Sequence, residues 1–331
     1  MINLSVICPF YNEERYVRQC VEGILSQDYP LQETEVFFVD GRSTDRSREL
    51  LEAYAAQYPF IHILDNPQRI VPVAMNLALE RVQGEVVIRL DMHATYAPNY
   101  FSALTRRLAE LSADNVGCPV QTDVLRKTPR SLAIREVLCN RLGVGDSLFR
   151  LGVQEVREVD TVPFGCFPRS VFERFGKYDE RLVRNQDIEL NKRILRGGGK
   201  IYLVPDTSCT YYARENFSAL AKNNFLNGKW NLLTVYYTRE LRSLSLRHFI
   251  PLLFLLSWTL PLLLGILFSP FVWLAFLSLG LYFIVISFES LKLSFQKRLN
   301  FLYLHLSFFI LHCSYGFGSL MGLLSFPFLR R

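Results

Sequence analysis

Apolar runs and amphipathic segments alternate along the first hundred residues. The runs span residues 4–9, 35–39 and 86–90, and such continuous runs are typical of strands buried on both faces. Between the runs, apolar residues recur at helical spacing from Val17 to Leu25 and again over residues 72–82, with Asn12 as the expected N-cap of the first helix and Gly84 closing the later one. This alternation predicts an α/β fold with a doubly wound, mostly parallel sheet.

The pattern changes near residue 248, where charged residues become rare. Residues 249–288 contain no charged side chain, and they predict two membrane spans, 249–268 and 271–288, which reverse at Ser269-Pro270. A third span is predicted at 301–324, although His305 and His312 leave a re-entrant or interfacial segment open. The arginines and lysines that flank the hairpin favour a cytoplasmic position for both of its ends. An odd number of spans would instead place Arg330-Arg331 on the opposite side of the membrane.

Composition excludes disordered, collagen-like and low-complexity proteins. Hydrophobic residues make up 50% of the 331 residues and charged residues only 21%, so the chain must fold. The net charge of +6 arises mainly after residue 247, and no Lys/Arg-rich run precedes it, so we expect no nucleic-acid partner. The seven cysteines are scattered without CxxC spacing, which indicates neither zinc nor disulfides. With no secretory leader recognised, the catalytic part is expected in the cytosol.

Polar clusters follow three of the apolar runs. They are Tyr11-Asn12-Glu13, Asp40-Gly41-Arg42-Ser43-Thr44-Asp45 and Asp91-Met92-His93. Ligands of open parallel sheets bind beyond the carboxyl ends of the strands, so these clusters predict one binding site at a single sheet edge. Taken singly, each cluster is ordinary: an Asp at a strand end is commonly a turn or cap residue.

The segments Ser5-Val6-Ile7-Cys8-Pro9-Phe10-Tyr11-Asn12-Glu13-Glu14 and Val39-Asp40-Gly41-Arg42-Ser43-Thr44-Asp45 resemble the family 2 glycosyltransferases, which share the GT-A fold. The Asp91-Met92-His93 cluster is similar to the Asp-x-His form of the metal motif in the succinoglycan-type exopolysaccharide glycosyltransferases. The resemblance covers about residues 3–235. It implies a divalent cation, Mn²⁺ or Mg²⁺, held by Asp91 and His93, although His93 is also open to a simple hydrogen bond within a turn. It also implies that the nucleotide-sugar is bound by Pro9, Tyr11, Glu13, Asp40, Arg69, Asn76 and Asp91, with Asp40 reading uracil.

The same resemblance implies an acceptor half with a catalytic base. Asp187 in Arg184-Asn185-Gln186-Asp187 matches the second acid of the family's acidic pair, and Gln186 stands where the first acid is usual. As a base, Asp187 would assist one displacement that inverts the anomeric carbon; as the plainer alternative, it would be a helix N-cap. Glu189 is expected to pair with Arg193.

Three further residues are assigned to the acceptor, namely Gly165, Asp179 and Trp230. For Gly165 a loop glycine with positive φ is an equal alternative. Trp230 lies in Gly228-Lys229-Trp230, which only partly matches the Gln-x-x-Arg-Trp element of processive synthases, so a single transfer is favoured over polymer synthesis.

The predicted organisation is therefore a cytosolic GT-A domain over residues 1–235, with a donor half to about 120 and an acceptor half from 121, an amphipathic interfacial region over 216–247, and a membrane domain over 249–331. We expect an inner or plasma membrane enzyme that moves one sugar from a nucleotide-sugar, with UDP expected, to a lipid-linked saccharide in polysaccharide or glycoconjugate biosynthesis. Transfer to a polyprenyl phosphate, a catalytically silent membrane scaffold and, less favoured, a nucleotidyltransferase remain the alternatives.

Overall fold

The computed structural model describes residues 1–329, which form two compact units. The first unit contains residues 1–121 and 148–212, and the second contains residues 122–147 and the chain from 213 onward. The second unit thus includes residues 213–235, which lie in the predicted GT-A domain, and the predicted domain boundaries stay predictions. Arg330 and Arg331 lie outside the described residues.

The strands follow in chain order. They are β1 Leu4–Phe10, β2 Thr34–Asp40, β3 Ile61–Asp65, β4 Val86–Arg89, β5 Ala94–Tyr96, β6 Asn115–Gly117, β7 Val120–Asp123, β8 Arg157–Glu158, β9 Cys166–Pro168, β10 Ile201–Leu203 and β11 Cys209–Tyr212. The helices are α1 Glu14–Leu25, α2 Ser47–Gln57, α3 Val71–Leu79, α4 Tyr100–Glu110, α5 Pro129–Leu138, α6 Arg141–Val144, α7 Leu148–Leu151, α8 Ser170–Arg174, α9 Gln186–Arg196, α10 Phe217–Thr238, α11 Ile250–Leu264, α12 Phe271–Lys297 and α13 Phe301–Ser325.

The first unit is built on a mixed sheet with the strand order β3-β2-β1-β4-β9-β6-β10-β8. Strands β1 to β4 pair in parallel, as the alternating pattern predicts, while β9 runs antiparallel to both β4 and β6. The fold class is therefore confirmed as an α/β sheet. Strand β3 was not predicted because only Ile61 and Leu64 of its five residues are buried, which leaves no continuous apolar run.

Side chains of β1 explain why its sequence is apolar at successive positions. Val6 and Cys8 point into one hydrophobic cluster with α1 and α4, whereas Ile7 points into a second cluster with α3 and α9. Because both faces of the sheet are covered, each face needs its own apolar set. A one-residue change of register would exchange the two sets.

Two predicted helix caps are wrong. Asn12 does not cap α1: its φ is 55°, and its Oδ1 atom accepts a hydrogen bond from the Thr44 amide at 2.7 Å. Gly84 does not close α3, which ends at Leu79. It lies against β1, where a Cβ atom would be 2.7 Å from the Ser5 amide nitrogen, so the glycine serves a close approach of two backbones.

Three helical segments of the second unit are long and apolar enough to cross a membrane. They are Leu246–Leu264, Phe271–Lys297 and Phe301–Phe328, so the three predicted spans are confirmed as candidates. The second helix extends nine residues beyond the predicted end at 288. Helix α5 packs on the last turns of this helix, where the Lys297 ammonium lies 2.5 Å from the buried Glu136 carboxylate.

Helices α10 and α13 approach each other unusually closely at glycine. A Cβ atom on Gly318 would overlap the carbonyl oxygen of Phe225, and one on Gly322 would lie 2.6 Å from the carbonyl oxygen of Lys229. The Ser319 hydroxyl donates to the Gly228 carbonyl at 3.3 Å at the same crossing. The pair is therefore held by backbone proximity that only glycine permits.

Replacing Gly318 by alanine should lower the apparent midpoint of thermal unfolding in detergent. The added methyl group must push two helices apart, and overpacking of this kind costs about 1–3 kcal/mol. The matched control is Gly280→Ala in α12, because a Cβ atom there meets nothing within 4 Å. Equal midpoints for the two variants would contradict the close packing of α10 on α13.

Candidate active site

The three polar clusters follow neighbouring strands of the sheet. In the strand register, Phe10 of β1 lies opposite Asp40 of β2, and Ile7 of β1 lies opposite Arg89 of β4. The Leu90 amide then donates to the Ile7 carbonyl at 2.8 Å, which carries the pairing to the end of β4. The residues after β1, β2 and β4 consequently meet at one edge of the sheet, as predicted.

The turn after β2 is fastened to the turn after β1. The Asn12 side-chain oxygen accepts the hydrogen bond from the Thr44 backbone amide, and the Asn12 backbone amide donates to the Ser43 hydroxyl at 3.0 Å. Asp40 is only 1% exposed, and its carboxylate accepts from the Ser43 amide at 2.8 Å and from Arg48 Nη1 at 3.3 Å. Asp40 therefore lies at the base of a rigid turn.

Tyr11 and Arg69 form an exposed pair at this edge. The Arg69 guanidinium carbon lies 5.8 Å from the centroid of the Tyr11 ring, within the range of a cation–π contact. Tyr11 is 44% exposed, so its ring remains available to a ligand. Pro9, two residues earlier in β1, is half-buried beside Val39.

His93 lies between two carboxylates. Its Nδ1 atom is 3.1 Å from Asp91 Oδ1 and 3.3 Å from Glu13 Oε1, and the Tyr16 and Tyr211 rings lie beside its imidazole. Within residues 1–329, no group of three or more His, Cys, Asp or Glu side chains meets the criteria for a metal centre. The separations nevertheless match those of neighbouring ligands on one ion, which lie about 3 Å apart when each is about 2.1 Å from the metal. The donor set fits a divalent cation.

Asp187 lies in the first turn of α9, facing Arg89 at the end of β4. Its Oδ2 atom is 4.0 Å from Arg89 Nη1, and its Oδ1 atom accepts from the Ile188 amide at 2.9 Å. The N-cap position of α9 belongs to Asn185, so the alternative that Asp187 is an N-cap is wrong. About a third of the Asp187 side chain is exposed, so it is not enclosed in a core ion pair.

Arg89 is a buried cation with few partners. Only 9% of the residue is exposed, and within the described part of the chain its Nε atom has no hydrogen-bond partner. Burial alone would lower the pKa of Arg89, but the facing Asp187 carboxylate, together with smaller contributions from Tyr178, Asp91 and Tyr96, outweighs burial and the pKa is raised. Beside it, burial raises the pKa of the Tyr178 hydroxyl to about 12, so this group is neutral at pH 7.

The amide of Asn76 is occupied by another loop. Its Nδ2 atom donates to the Tyr178 carbonyl and to the Glu180 carboxylate, each at 2.9 Å, and its Oδ1 atom accepts from the Tyr178 amide at 3.0 Å. Both donor hydrogens are therefore used within the protein. The predicted contact of Asn76 with the nucleotide-sugar stays a prediction, and the hydrogen bonds favour a structural role.

Two of the predicted acceptor residues are also engaged by neighbours. Arg181 donates to both carboxylate oxygens of Asp179, at 2.9 and 2.7 Å. Burial opposes ionisation of Asp179, but the side-chain and backbone hydrogen bonds from Arg181, together with the charges of Arg181 and Arg193, outweigh it and lower the pKa of the carboxyl. A Cβ atom on Gly165 would overlap Asn115, and the positive φ in this loop belongs to Phe164 instead.

Trp230 lies in the second unit, on α10, where it is half-buried and its carbonyl accepts from the Thr234 hydroxyl at 2.7 Å. The expected ion pair of α9 is confirmed: Arg193 Nη2 lies 2.7 Å from Glu189 Oε2. Sequence reasoning missed Arg89 and Tyr178. For Arg89 a signal existed, since it is the one charged residue in the apolar run 86–90.

The carboxyl ends of the parallel strands β1, β2 and β4 thus bring carboxylates, an imidazole and a buried arginine to the position at which open α/β sheets bind their ligands. The sequence profile described as Glycosyl transferase family 2 matches residues 5–175, so the chain belongs to that family. It is 27% identical over 279 residues to the succinoglycan biosynthesis protein ExoA of Rhizobium meliloti, covering 84% of this chain and 81% of that protein. The predicted resemblance is confirmed.

A second relative comes from Methanococcus voltae. It is a dolichyl N-acetyl-alpha-D-glucosaminyl phosphate 3-beta-D-2,3-diacetamido-2,3-dideoxy-beta-D-glucuronosyltransferase, 23% identical over 328 residues and covering 97% of each chain. Among solved structures, the mannosyltransferase PcManGT of Pyrobaculum calidifontis, in complex with GDP-Man and Mn²⁺, superposes with a TM-score of 0.63 at 18% identity, over 97% of this chain and 87% of that chain. S. aureus TarS 1–349, in complex with UDP-GlcNAc, superposes with a TM-score of 0.54 at 16% identity, over 98% of this chain and 92% of that chain. The protein is a family 2 glycosyltransferase that uses a nucleotide-sugar donor.

Replacing Asn76 by alanine should lower thermal stability and leave donor binding intact. The change removes three hydrogen bonds at a buried loop, and leaving such groups unpaired costs about 1–3 kcal/mol for each. The measurement is the unfolding midpoint with and without UDP, with the exposed Gln68→Ala as control. An unchanged midpoint together with loss of the UDP-induced rise would instead establish Asn76 as a nucleotide ligand.

Proposed function

We propose that the protein transfers a single sugar, with inversion, from a UDP-sugar to a lipid-linked saccharide at the cytoplasmic face of a membrane, in polysaccharide or glycoconjugate biosynthesis. The observation that carries this proposal is the position of Asp187. Asp187 faces Arg89, the last residue of β4. Arg89 precedes Asp91 by two positions, so Asp187 lies at the same end of the sheet as Asp91, His93 and Glu13.

Asp187 is proposed as the general base. Its carboxylate lies partly exposed in the first turn of α9 and faces the Arg89 guanidinium, so it is open to an acceptor hydroxyl. In the reaction, an acceptor hydroxyl gives its proton to Asp187 while its oxygen bonds to the anomeric carbon. The bond from that carbon to the diphosphate oxygen breaks, and UDP leaves with the electron pair. An α-linked donor would then give a β-linked product.

Arg89 is proposed as the residue that holds Asp187 in place. Its guanidinium is buried and charged, while the Asp187 carboxylate remains partly open to solvent. The buried guanidinium attracts the carboxylate electrostatically and leaves its other side uncovered. The acceptor hydroxyl therefore meets a base that is already aligned.

The donor is proposed to lie along the edge formed by β1, β2 and β4. Asp40 at the base of its turn is assigned to the uracil ring, and the exposed Tyr11–Arg69 pair is assigned to the nucleotide and its diphosphate, with Pro9 and Glu13 beside them. Stacking of a base on an aromatic ring and pairing of a guanidinium with phosphate are both well suited to these residues. Asn76 is assigned to the donor only indirectly, through the loop at Tyr178 that its amide holds.

Family 2 glycosyltransferases generally use a divalent cation, and we propose Asp91 and His93 as its ligands here, with Glu13 adjacent. The cation would neutralise the charge that develops on the leaving diphosphate. An imidazole ligand favours Mn²⁺ slightly over Mg²⁺. PcManGT of similar fold was solved with Mn²⁺, which supports the proposal.

The acceptor assignment rests on the membrane helices and on the relatives. A catalytic domain linked to apolar helices encounters lipid-borne substrates at a raised effective concentration. The Methanococcus voltae relative is named for a dolichyl-phosphate-linked sugar acceptor. Gly165, Asp179 and Trp230 remain the residues proposed for acceptor binding, and bare polyprenyl phosphate remains the second acceptor class.

Two lipid acceptors supplied separately with radiolabelled UDP-sugar test the proposal. We expect label in the lipid-linked saccharide and none in polyprenyl phosphate. With Asp187→Asn, turnover should fall at least about a hundredfold, as for loss of a general base, while UDP binding persists. Glu173→Gln, on the exposed side of α8, is the matched control.

Label in the bare polyprenyl phosphate would overturn the acceptor assignment. Full transfer by Asp187→Asn would overturn the base assignment, and an absence of transfer by the wild-type protein with any UDP-sugar would favour the scaffold alternative.

Replacing Arg89 by methionine should lower kcat about tenfold to a hundredfold, or 1.4–2.7 kcal/mol of barrier, while KM for the donor changes little. Arg89→Lys should restore part of the rate, and added guanidinium should rescue Arg89→Met. Arg174→Met, which removes the half-exposed partner of Asp114, is the control. A raised donor KM with unchanged kcat would show that Arg89 binds the donor instead.

A further inference from the structure

Although α13 is long enough to span a bilayer, we infer that it lies along the membrane surface together with α10, and that only the α11–α12 hairpin enters the bilayer. The end of α13 then stays on the same membrane face as the residues that precede α10. This inference is independent of the chemistry proposed for the first unit.

Helices α10 and α13 run side by side in the same direction over their full lengths. At their beginnings the Phe217 and Tyr303 rings lie 6.1 Å apart, and at their ends the Tyr236 and Phe326 rings lie 4.9 Å apart. Between these points, Gly228 faces Ser319 through the hydrogen bond described above. Twenty residues of helix cover about 30 Å, the thickness of the hydrocarbon core. If α13 crosses, α10 must cross beside it.

The sequence of α10 opposes such a crossing. It carries Lys229 near its centre and Lys222 between one and two turns from its beginning. Four asparagines lie at positions 223, 224, 227 and 231. Among the described residues, α10 is not one of the candidate spans. A lysine at the bilayer centre is costly even on insertion scales, and the asparagine amides add to this cost. The pair is therefore disfavoured as a transmembrane unit.

Basic residues lie at both ends of α10, and they belong on one side of the membrane. At its beginning, the segment with Arg126, Lys127 and Arg130 is joined to Glu215 by a hydrogen bond from the Arg126 amide at 2.7 Å. At its end lie Arg239 and Arg242. A crossing would place these clusters on opposite faces, against the tendency of basic residues to remain on the cytoplasmic face. In the membrane plane, both clusters can reach anionic headgroups.

The hairpin has different properties. Residues 249–288 contain no charge, and α11 pairs with α12 through Ser257 and Ser278 at 2.7 Å and through stacked Phe254 and Tyr282 rings. Only 11% of the most apolar 18-residue stretch of each hairpin helix is buried within the protein, against 44% of the corresponding stretch of the third candidate span. The large exposed apolar surface of the hairpin is what lipid would cover, whereas α13 is already half-covered by protein.

The contacts between α13 and the hairpin include some near the hairpin's base and one near the middle of α12, where the Tyr282 hydroxyl lies 2.9 Å from His312 Nδ1. Gly316 approaches the Pro251 carbonyl at the start of α11, where a Cβ atom would be 2.5 Å away, and His305 Nδ1 lies 3.4 Å from the Ser287 hydroxyl. Exposed Met321 and Leu324 on α13, and Phe328 just after its end, would face the acyl boundary.

Reporters fused after residue 331 of the full chain test the inference in bacterial cells. We expect green fluorescent protein at this position to fluoresce and alkaline phosphatase to be inactive, because both reporters remain in the cytoplasm. Active phosphatase with a dark fluorescent protein would show a third crossing and overturn the inference.

A second measurement covers the case of fusions that fail to fold. Phe328→Cys and Leu241→Cys, both at exposed positions, are compared in a chain in which Cys139 and Cys313 are replaced by serine. An impermeant maleimide should label both variants in inside-out vesicles and neither in intact spheroplasts. Labelling of Phe328→Cys from outside the spheroplasts, with Leu241→Cys protected, would overturn the inference.

Discussion

The candidate active site depends on the register of β1 between β2 and β4. These hydrogen-bonded strands end together, so residues more than fifty positions apart in sequence, such as Asp40 and Asp91, meet at one edge. The same constraint sets Arg89 at the last position of β4, where it faces the first turn of α9. Because the strands are buried on both faces, a shift of register would disrupt two hydrophobic clusters as well as the site.

Much of this arrangement could be predicted from the sequence, because buried parallel strands have continuous apolar runs and their carboxyl ends collect ligands. The apolar runs identified β1, β2 and β4, and the residues after them include Asp91 and His93. The half-exposed strand β3 lacked such a run. The pairing of Asn12 with Thr44 instead of a helix cap depends on a contact between two turns, which local propensity does not contain.

The acceptor half was harder to predict because its side chains are fixed by long-range contacts. The hydrogen bonds of Asn76 with the loop at Tyr178, the ion pair of Asp179 with Arg181 and the position of Arg89 beside Asp187 all follow from tertiary structure. In the second unit, hydropathy identified three candidate spans but could not reveal that a polar helix accompanies α13. In both cases the contacts of a residue or helix are determined by a neighbour that is distant in sequence.

A structure determined with bound UDP and Mn²⁺ would test the central claim most directly, namely that the carboxyl edge of β1, β2 and β4 holds the donor and that Asp187 approaches from the opposite side. The account predicts uracil beside Asp40, the cation about 2 Å from Asp91 and His93, and Asp187 beyond the diphosphate, facing the sugar position. Nucleotide bound away from this edge, or Asp187 on the diphosphate side of the cation, would contradict it.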